Sequence, residues 1–253
     1  FFIHEHFQRY TSTVHRRDEA PWYFVPILMI GLIPWIPLAL HGLAGAWRSV
    51  APPGQFSAQR FLVVWCVFVL MFFSLSGSKL PAYLLPLFPA LALLLGPYLC
   101  TAKRSFIQVT IALAIAISLL GLIGLPFALN ARSESPLIAL YRDYSKWLNA
   151  GFGVLGIAGL IAYFKAQQGQ LKTALTILGV GGFVSTMIGL HGHESLARSN
   201  SSAYLAEQIR PLLRADIPMY SVKTYDQTLP FYLNRTMILV AYQDEFAFGQ
   251  QQQ

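Results

Sequence analysis

Between Arg60 and Lys103 the chain carries a single charged residue, Lys79. The run FLVVWCVFVLMFF, from Phe61 to Phe73, is unbroken apolar sequence, and Leu80–Leu99 follows almost at once. The second run is close to the roughly 20 residues that a bilayer-spanning helix needs. In lipid the backbone must satisfy its own hydrogen bonds, so runs of this kind read as membrane helices. Composition agrees. Hydrophobic residues make up 55% of the 253 and charged residues 11%, under half the usual soluble level, which excludes a large soluble core.

Six spans follow from the apolar runs, at about 23–45, 61–77, 80–99, 106–129, 147–164 and 171–190. Trp22 and Tyr23 mark the interface of the first, and Pro26, Pro34 and Pro37 predict kinks in it. Small residues in the fourth, Ala112, Ala114, Ala116, Gly121 and Gly124, suit close helix packing. Residues 130–146 read as a polar loop. Residues 1–22 read as an external interfacial helix and loop, with Ile3, Phe7 and Tyr10 as its apolar stripe and Glu5–Arg9 as an i,i+4 pair. Residues 191–253 read as a soluble α/β domain. It has an amphipathic helix over 199–215, strands over 217–222 and 236–241, and a short helix around 227–232. The fold class is therefore an all-α polytopic membrane domain of about six transmembrane helices, followed by a small soluble α/β domain.

Loop charge sets the orientation. The loops 47–60, 101–105 and 165–172 carry Arg48, Arg60, Lys103, Arg104, Lys165 and Lys172 and no acid, while every Asp and Glu lies on the other side. The positive-inside rule places the acid-free loops in the cytoplasm. The Lys79 tip, the N-terminal segment and the tail domain then share the external face. The net charge of +7 is spread around apolar spans rather than clustered, so nucleic acid is not an expected partner. Cys66 and Cys100 have no zinc or CxxC spacing and read as small core hydrophobes. The chain opens at Phe1, inside an apparent motif, so it is expected to be the C-terminal part of a longer protein.

The stretch SLSGSKLPAYLLPLFPA, from Ser74 to Ala90, is the candidate site. Ser76, Gly77 and Ser78 let the chain turn at the membrane surface, and Pro81 suits a first helical turn. If a helix starts there, Lys79 and Tyr83 share one face, and the free N–H groups of its first turn add positive potential. A lysine, a phenol and a helix start at headgroup depth suit a lipid phosphate. The competing reading is a snorkelling lysine and an aromatic-belt tyrosine. His4, Glu5 and His6 are adjacent, so they lack the shared face of a HExxH zinc motif. His191, His193 and Glu194 are a further metal candidate, set against a solvated junction.

The segment FFSLSGSKLPAYLLPLFPALALLLG resembles the Ser-Gly-Lys-Leu-Pro-x-Tyr region of the bacterial aminoarabinose (lipid A) transferases and their relatives. Those enzymes are integral-membrane glycosyltransferases of the protein O-mannosyltransferase-like superfamily. The likeness extends to FFIHEHFQRY, PWYFVPILMIGLIPW and LPFYLNRTMILV. It implies a GT-C-like architecture in the bacterial inner membrane, with the C-terminal domain periplasmic. The activity it implies is transfer of a sugar from polyprenyl (undecaprenyl) phosphate to lipid A or another lipid or glycan acceptor of the envelope. It gives Tyr83 a donor-phosphate role with Lys79 beside it and Arg9 as a further donor. Glu5 and His6 are placed near the active site, with His6 as a ligand to a divalent metal ion, the one cofactor candidate. The general base is expected outside this chain, because the family's key acid lies near the N-terminus of the whole protein. The fragment alone is then expected to be inactive. The alternative is a transporter or flippase of lipid-linked sugars. That reading favours ionisable residues at mid-membrane, which the six spans lack.

Overall fold

The structure, a computed structural model, describes residues 19–49, 52, 54–77, 79–132, 137–197, 201–214 and 217–242. The described helices are α1 (Phe24–Leu32), α2 (Ile36–Arg48), α3 (Ala58–Leu75), α4 (Leu87–Leu99), α5 (Arg104–Ala131), α6 (Ile138–Gln167) and α7 (Leu171–Gly192). The tail then forms α8 (Glu194–Ala197), α9 (Ala203–Ile209), β1 (Met219–Val222), α10 (Thr228–Leu233) and β2 (Met237–Val240). Short 3-10 turns cover Pro81–Leu84 and Arg210–Leu212. By length and composition, five of the described helices can cross a membrane, or six if α1 and α2 count as one broken span. The fold class is thus the one the apolar runs imply.

Three boundaries differ from the sequence reading. The first span is not one kinked helix: α1 and α2 meet at 107°. Pro34 sits in the break, where it can donate no backbone hydrogen bond, and Pro37 falls in the opening turn of α2. Most of the polar loop expected over 130–146 is helical, because α5 runs on to Ala131 and α6 begins at Ile138. Hydropathy marks where lipid ends, not where a helix ends. The polar first turns of α6 hold themselves, Lys146 Nζ lying 2.7 Å from Asp143 Oδ1 and Ser145 Oγ donating to Arg142 O. The third span runs over Pro81–Leu99, close to the expected 80–99, but it opens with a 3-10 turn and its α-helix begins only at Leu87, which belongs to the site.

The described chain forms two compact units: residues up to Leu122 with Phe152–Ser185, and Ile123–Gly151 with the residues from Thr186 on. The first unit has two cores. Phe24, Ala39, Val63, Cys66, Leu84, Leu87 and Leu91 form one, with Tyr83 and Phe88 packed against it. Leu38, Ile107, Ile111, Ala114, Ala162, Ala174 and Leu178 form the other. Within this unit α5 and α6 approach closely at small residues. A Cβ on Gly121 would meet the Phe152 ring at 2.5 Å, and Ser118 Oγ donates to Phe152 O at 2.6 Å. Gly181 on α7 likewise leaves no room for a Cβ beside the Ala158 methyl. In the most apolar stretch of each spanning helix only 17% to 28% of the residues are buried. Side chains such as Val64, Phe68, Leu120 and Phe183 point outward, which is the arrangement expected of helices solvated by lipid. Cys66 is buried and Cys100 exposed, and both are free thiols.

In the second unit β1 and β2 pair in parallel, Met219 opposite Met237 and Val222 opposite Val240, with α10 as the crossover. The strands are shorter than the sequence runs. Met219, Ser221, Met237 and Leu239 face inward; Tyr220, Val222, Ile238 and Val240 are exposed. The period of 2 along a strand produces this alternation. Asn234 closes α10 in the left-handed region, which Asn tolerates better than most residues.

Candidate functional site

The site is built on the last turn of α3. Ser76 caps that helix in extended conformation, and its N–H bonds back to Phe73 O at 3.2 Å. Lys79 folds back over this turn and is 7% exposed. Its Nζ donates to Ser76 O at 2.7 Å. Among the described residues no carboxylate is paired with Lys79. An ammonium carries three N–H donors, and a carbonyl dipole does not neutralise a charge taken out of water. Among the described residues the Lys79 ammonium is thus met by one carbonyl, a setting that suits an anion.

Tyr83 reaches the same turn by another route. Leu80 is extended, as the residue before a proline should be, and Pro81 opens the 3-10 turn. Tyr83 N donates to Leu80 O at 3.0 Å. The half-buried Tyr83 ring stacks on Phe73, centroids 4.8 Å apart and planes 27° apart. Farther along, Trp65 Nε1 donates to Pro86 O at 3.2 Å, fixing the segment to α3 just before α4 begins.

This geometry corrects two expectations. Lys79 and Tyr83 do not share a helix face, because Lys79 precedes the 3-10 turn and α4 starts only at Leu87. A helix starting at Pro81 would place Pro86 in its interior, without an N–H and against the preceding turn. The free N–H groups of α4 therefore lie beyond Pro86 and not at the lysine. Lys79 and Tyr83 are each attached to the end of α3, one through Ser76 O and the other through the Phe73 ring. Neither the Phe73 stack nor the Trp65 bond leaves a spacing signal in the sequence.

Arg9, Glu5 and His6 lie outside the described residues. His191 packs edge-on to Trp147 at 5.0 Å and His193 to Tyr144 at 5.8 Å. Among the described residues no three His, Cys, Asp or Glu side chains converge to hold a metal ion. His41 lies against the Phe106 ring at 3.9 Å. The second unit also holds a cavity of about 560 Å³ lined by Glu194, Tyr204, Glu207, Arg210 and Tyr232, in which Arg210 donates to Tyr232 O. Nearby, Asp226 accepts from the Thr228 N–H at 2.8 Å and from its hydroxyl at 2.6 Å. The Ser202 hydroxyl, then that of Thr228, hold its carboxyl below the usual carboxylate range.

Comparison with known proteins converges on one group. Residues 205–253 match the family described as the aminoarabinose transferase C-terminal domain. An undecaprenyl phosphate-alpha-4-amino-4-deoxy-L-arabinose arabinosyl transferase of Proteus mirabilis is 30% identical over 194 residues, covering 71% of this chain and 33% of that protein. Its counterpart in Edwardsiella ictaluri is 28% identical over 232 residues, covering 89% of this chain and 39% of that protein. The crystal structure of ArnT from Cupriavidus metallidurans bound to undecaprenyl phosphate superposes with a TM-score of 0.84 at 32% identity, covering 100% of this chain and 45% of that one. The chain thus spans between a third and a half of the length of these relatives.

Proposed function

The chain belongs to the aminoarabinose transferase family, and we propose that it is the donor-phosphate-binding part of an inner-membrane glycosyltransferase. The reaction is transfer of a sugar from undecaprenyl phosphate to lipid A or a related envelope acceptor. The observation that carries this reading is Lys79: a buried ammonium, tied to Ser76 O and paired with no described carboxylate, on the turn that also holds Tyr83.

In the transfer, an acceptor oxygen attacks the anomeric carbon as the bond from that carbon to the phosphate oxygen breaks. The bonding pair leaves with the lipid phosphate, which gains negative charge. Preorganised donors at that position lower the barrier because they need not reorganise as charge develops. Lys79 supplies the charge and Tyr83 an O–H donor, with Arg9 as a third. The acceptor's proton passes to a carboxylate outside this chain, so the chain by itself is inactive. Glu5 and His6 are assigned to the surroundings of the active site, with His6 as the candidate ligand should a divalent metal ion take part. The acid-free loops face the cytoplasm and the tail domain the periplasm. The transporter alternative calls for paired broken helices, and among the described residues one helix pair, α1–α2, is broken in this way.

The test is a titration of undecaprenyl phosphate into the full-length protein in lipid nanodiscs, with sugar turnover measured alongside. Lys79→Ala and Tyr83→Phe should both weaken binding and slow turnover while folding stays intact. Unchanged binding and turnover in both variants would make the two residues membrane anchors and move the site elsewhere.

A further inference from the structure

We propose that Phe73 is the positioning residue for Tyr83: it holds the phenol ring in the orientation that presents its hydroxyl to the donor phosphate. The inference rests on the reading of Tyr83 given above, and nothing assigns Phe73 a role.

Tyr83 sits at the edge of the first core, and the ring contact described for it is with Phe73. The tyrosine lies on a four-residue 3-10 turn, whose hydrogen bonding is poorer than that of an α-helix. Its side chain is half-buried. Its backbone N–H is spent on Leu80 O. Phe73 covers one face of the ring in a near-parallel stack at 4.8 Å and 27°. Phe73 is itself firmly placed. It lies in the last turn of α3, its carbonyl receives the Ser76 N–H, and Phe72 packs edge-on to it at 5.1 Å. One turn thus orients both donor groups, by a carbonyl for Lys79 and by a ring face for Tyr83. A phenol swinging freely about χ1 would place its O–H over several ångströms. A donor misplaced by about 1 Å loses much of its effect on a transition state.

The first arm of the test is kinetic, on the full-length protein in nanodiscs, using an undecaprenyl phosphate-linked sugar as donor. Phe73→Leu keeps an apolar contact and removes the stacked ring. It should lower kcat/KM for the donor about two- to tenfold, the range of a ring-pair interaction. Phe73→Trp should restore most of that loss. In a Tyr83→Phe background, which has no hydroxyl left to orient, Phe73→Leu should cost nothing further. The second arm reads the ring directly. With 3-fluorotyrosine at position 83, Phe73→Leu should shift and broaden the ¹⁹F resonance in the absence of donor.

The outcomes separate. An equal Phe73→Leu loss with and without the Tyr83 hydroxyl makes Phe73 a general packing residue and overturns the proposal. So does an unmoved ¹⁹F resonance, or an intact Phe73→Leu enzyme beside an impaired Tyr83→Phe. A Tyr83→Phe enzyme with unchanged donor kinetics overturns the donor-phosphate reading of Tyr83 itself, and the proposal with it.

Discussion

Replacing Lys79 by Met should separate a binding role from a structural one, because the two predict different stability changes with and without donor. Met keeps most of the stem and removes the charge. In the donor-free protein the change deletes a buried ammonium that has a carbonyl for company and no described carboxylate. Exchanging buried charge for apolar volume is commonly neutral or stabilising by about 1–4 kcal/mol. Against that stands the lost bond to Ser76 O; a hydrogen bond from a charged group contributes about 1.5–3 kcal/mol. These oppose each other, so the donor-free variant should stay within about 3 kcal/mol of wild type. The donor-bound protein behaves differently. A hydrogen bond to a charged group contributes about 1.5–3 kcal/mol, which is roughly a 10- to 150-fold loss in donor affinity. At a donor concentration about 100 times the wild-type Kd, wild type gains about 2.7 kcal/mol of stability. With affinity down about 10- to 150-fold, the variant gains only about 0.3–1.4 kcal/mol at the same concentration. Paired thermal melts with and without undecaprenyl phosphate, in one detergent, read the difference. A variant that melts far below wild type without donor, yet gains the same increment with it, would show that Lys79 braces the tip and does not bind phosphate.

Three further outcomes are expected. Gly181→Ala should destabilise the contact between α6 and α7 by about 1–3 kcal/mol, because its methyl collides with that of Ala158; Ala158→Gly in the same chain should recover most of the loss in thermal unfolding, and an additive loss would refute the collision. The carboxyl of Asp226 is held below its usual range by the hydroxyls of Ser202 and Thr228 and by the N–H groups of Thr228 and Leu229. Its folded-state pKa is lowered, so its stabilisation is complete above about pH 4 and disappears as pH falls through the lowered value; hydrogen exchange at the Thr228 amide should quicken over that range, and Asp226→Ala should abolish the pH dependence. In a chain with Cys66 and Cys100 replaced by Ala, Gln168→Cys should react with an impermeant maleimide only from the cytoplasmic side and Leu212→Cys only from the periplasmic side; labelling of both from one side would overturn the orientation.

Long apolar runs declare themselves because lipid demands them, and the tail strands show through their period-2 burial. The details of the site did not show, and the reason is proline. LPAYLLPLFPA holds three prolines, and each can start a helix or obstruct one. By sequence Pro81 suits a helix start, but Pro86 decides, since a helix begun at Pro81 would carry Pro86 in its interior. Pro34 acts likewise between α1 and α2, where a kink was expected and a 107° break is found. The Phe73–Tyr83 stack joins two elements across a turn, and no single-sequence periodicity reports a contact of that kind. The contacts of Tyr144 with His193 and of Trp147 with His191 leave no sequence signal either; both histidines are exposed, as a solvated junction implies.

The outward faces of the spanning helices, with so few of their residues buried, imply two very different rates of sequence drift along one helix. Positions such as Phe68, Leu120 and Phe183 are exposed on helices long and apolar enough to span a membrane, and any apolar side chain would serve lipid equally well. They are free to exchange Leu, Ile, Val and Phe but closed to charge. Gly181, Gly121 and Ser118 admit almost no exchange at all. A saturation library should therefore show a hydrophobicity filter on one side of each helix and a size filter on the other, and the line between them would trace the bilayer boundary without a membrane in view.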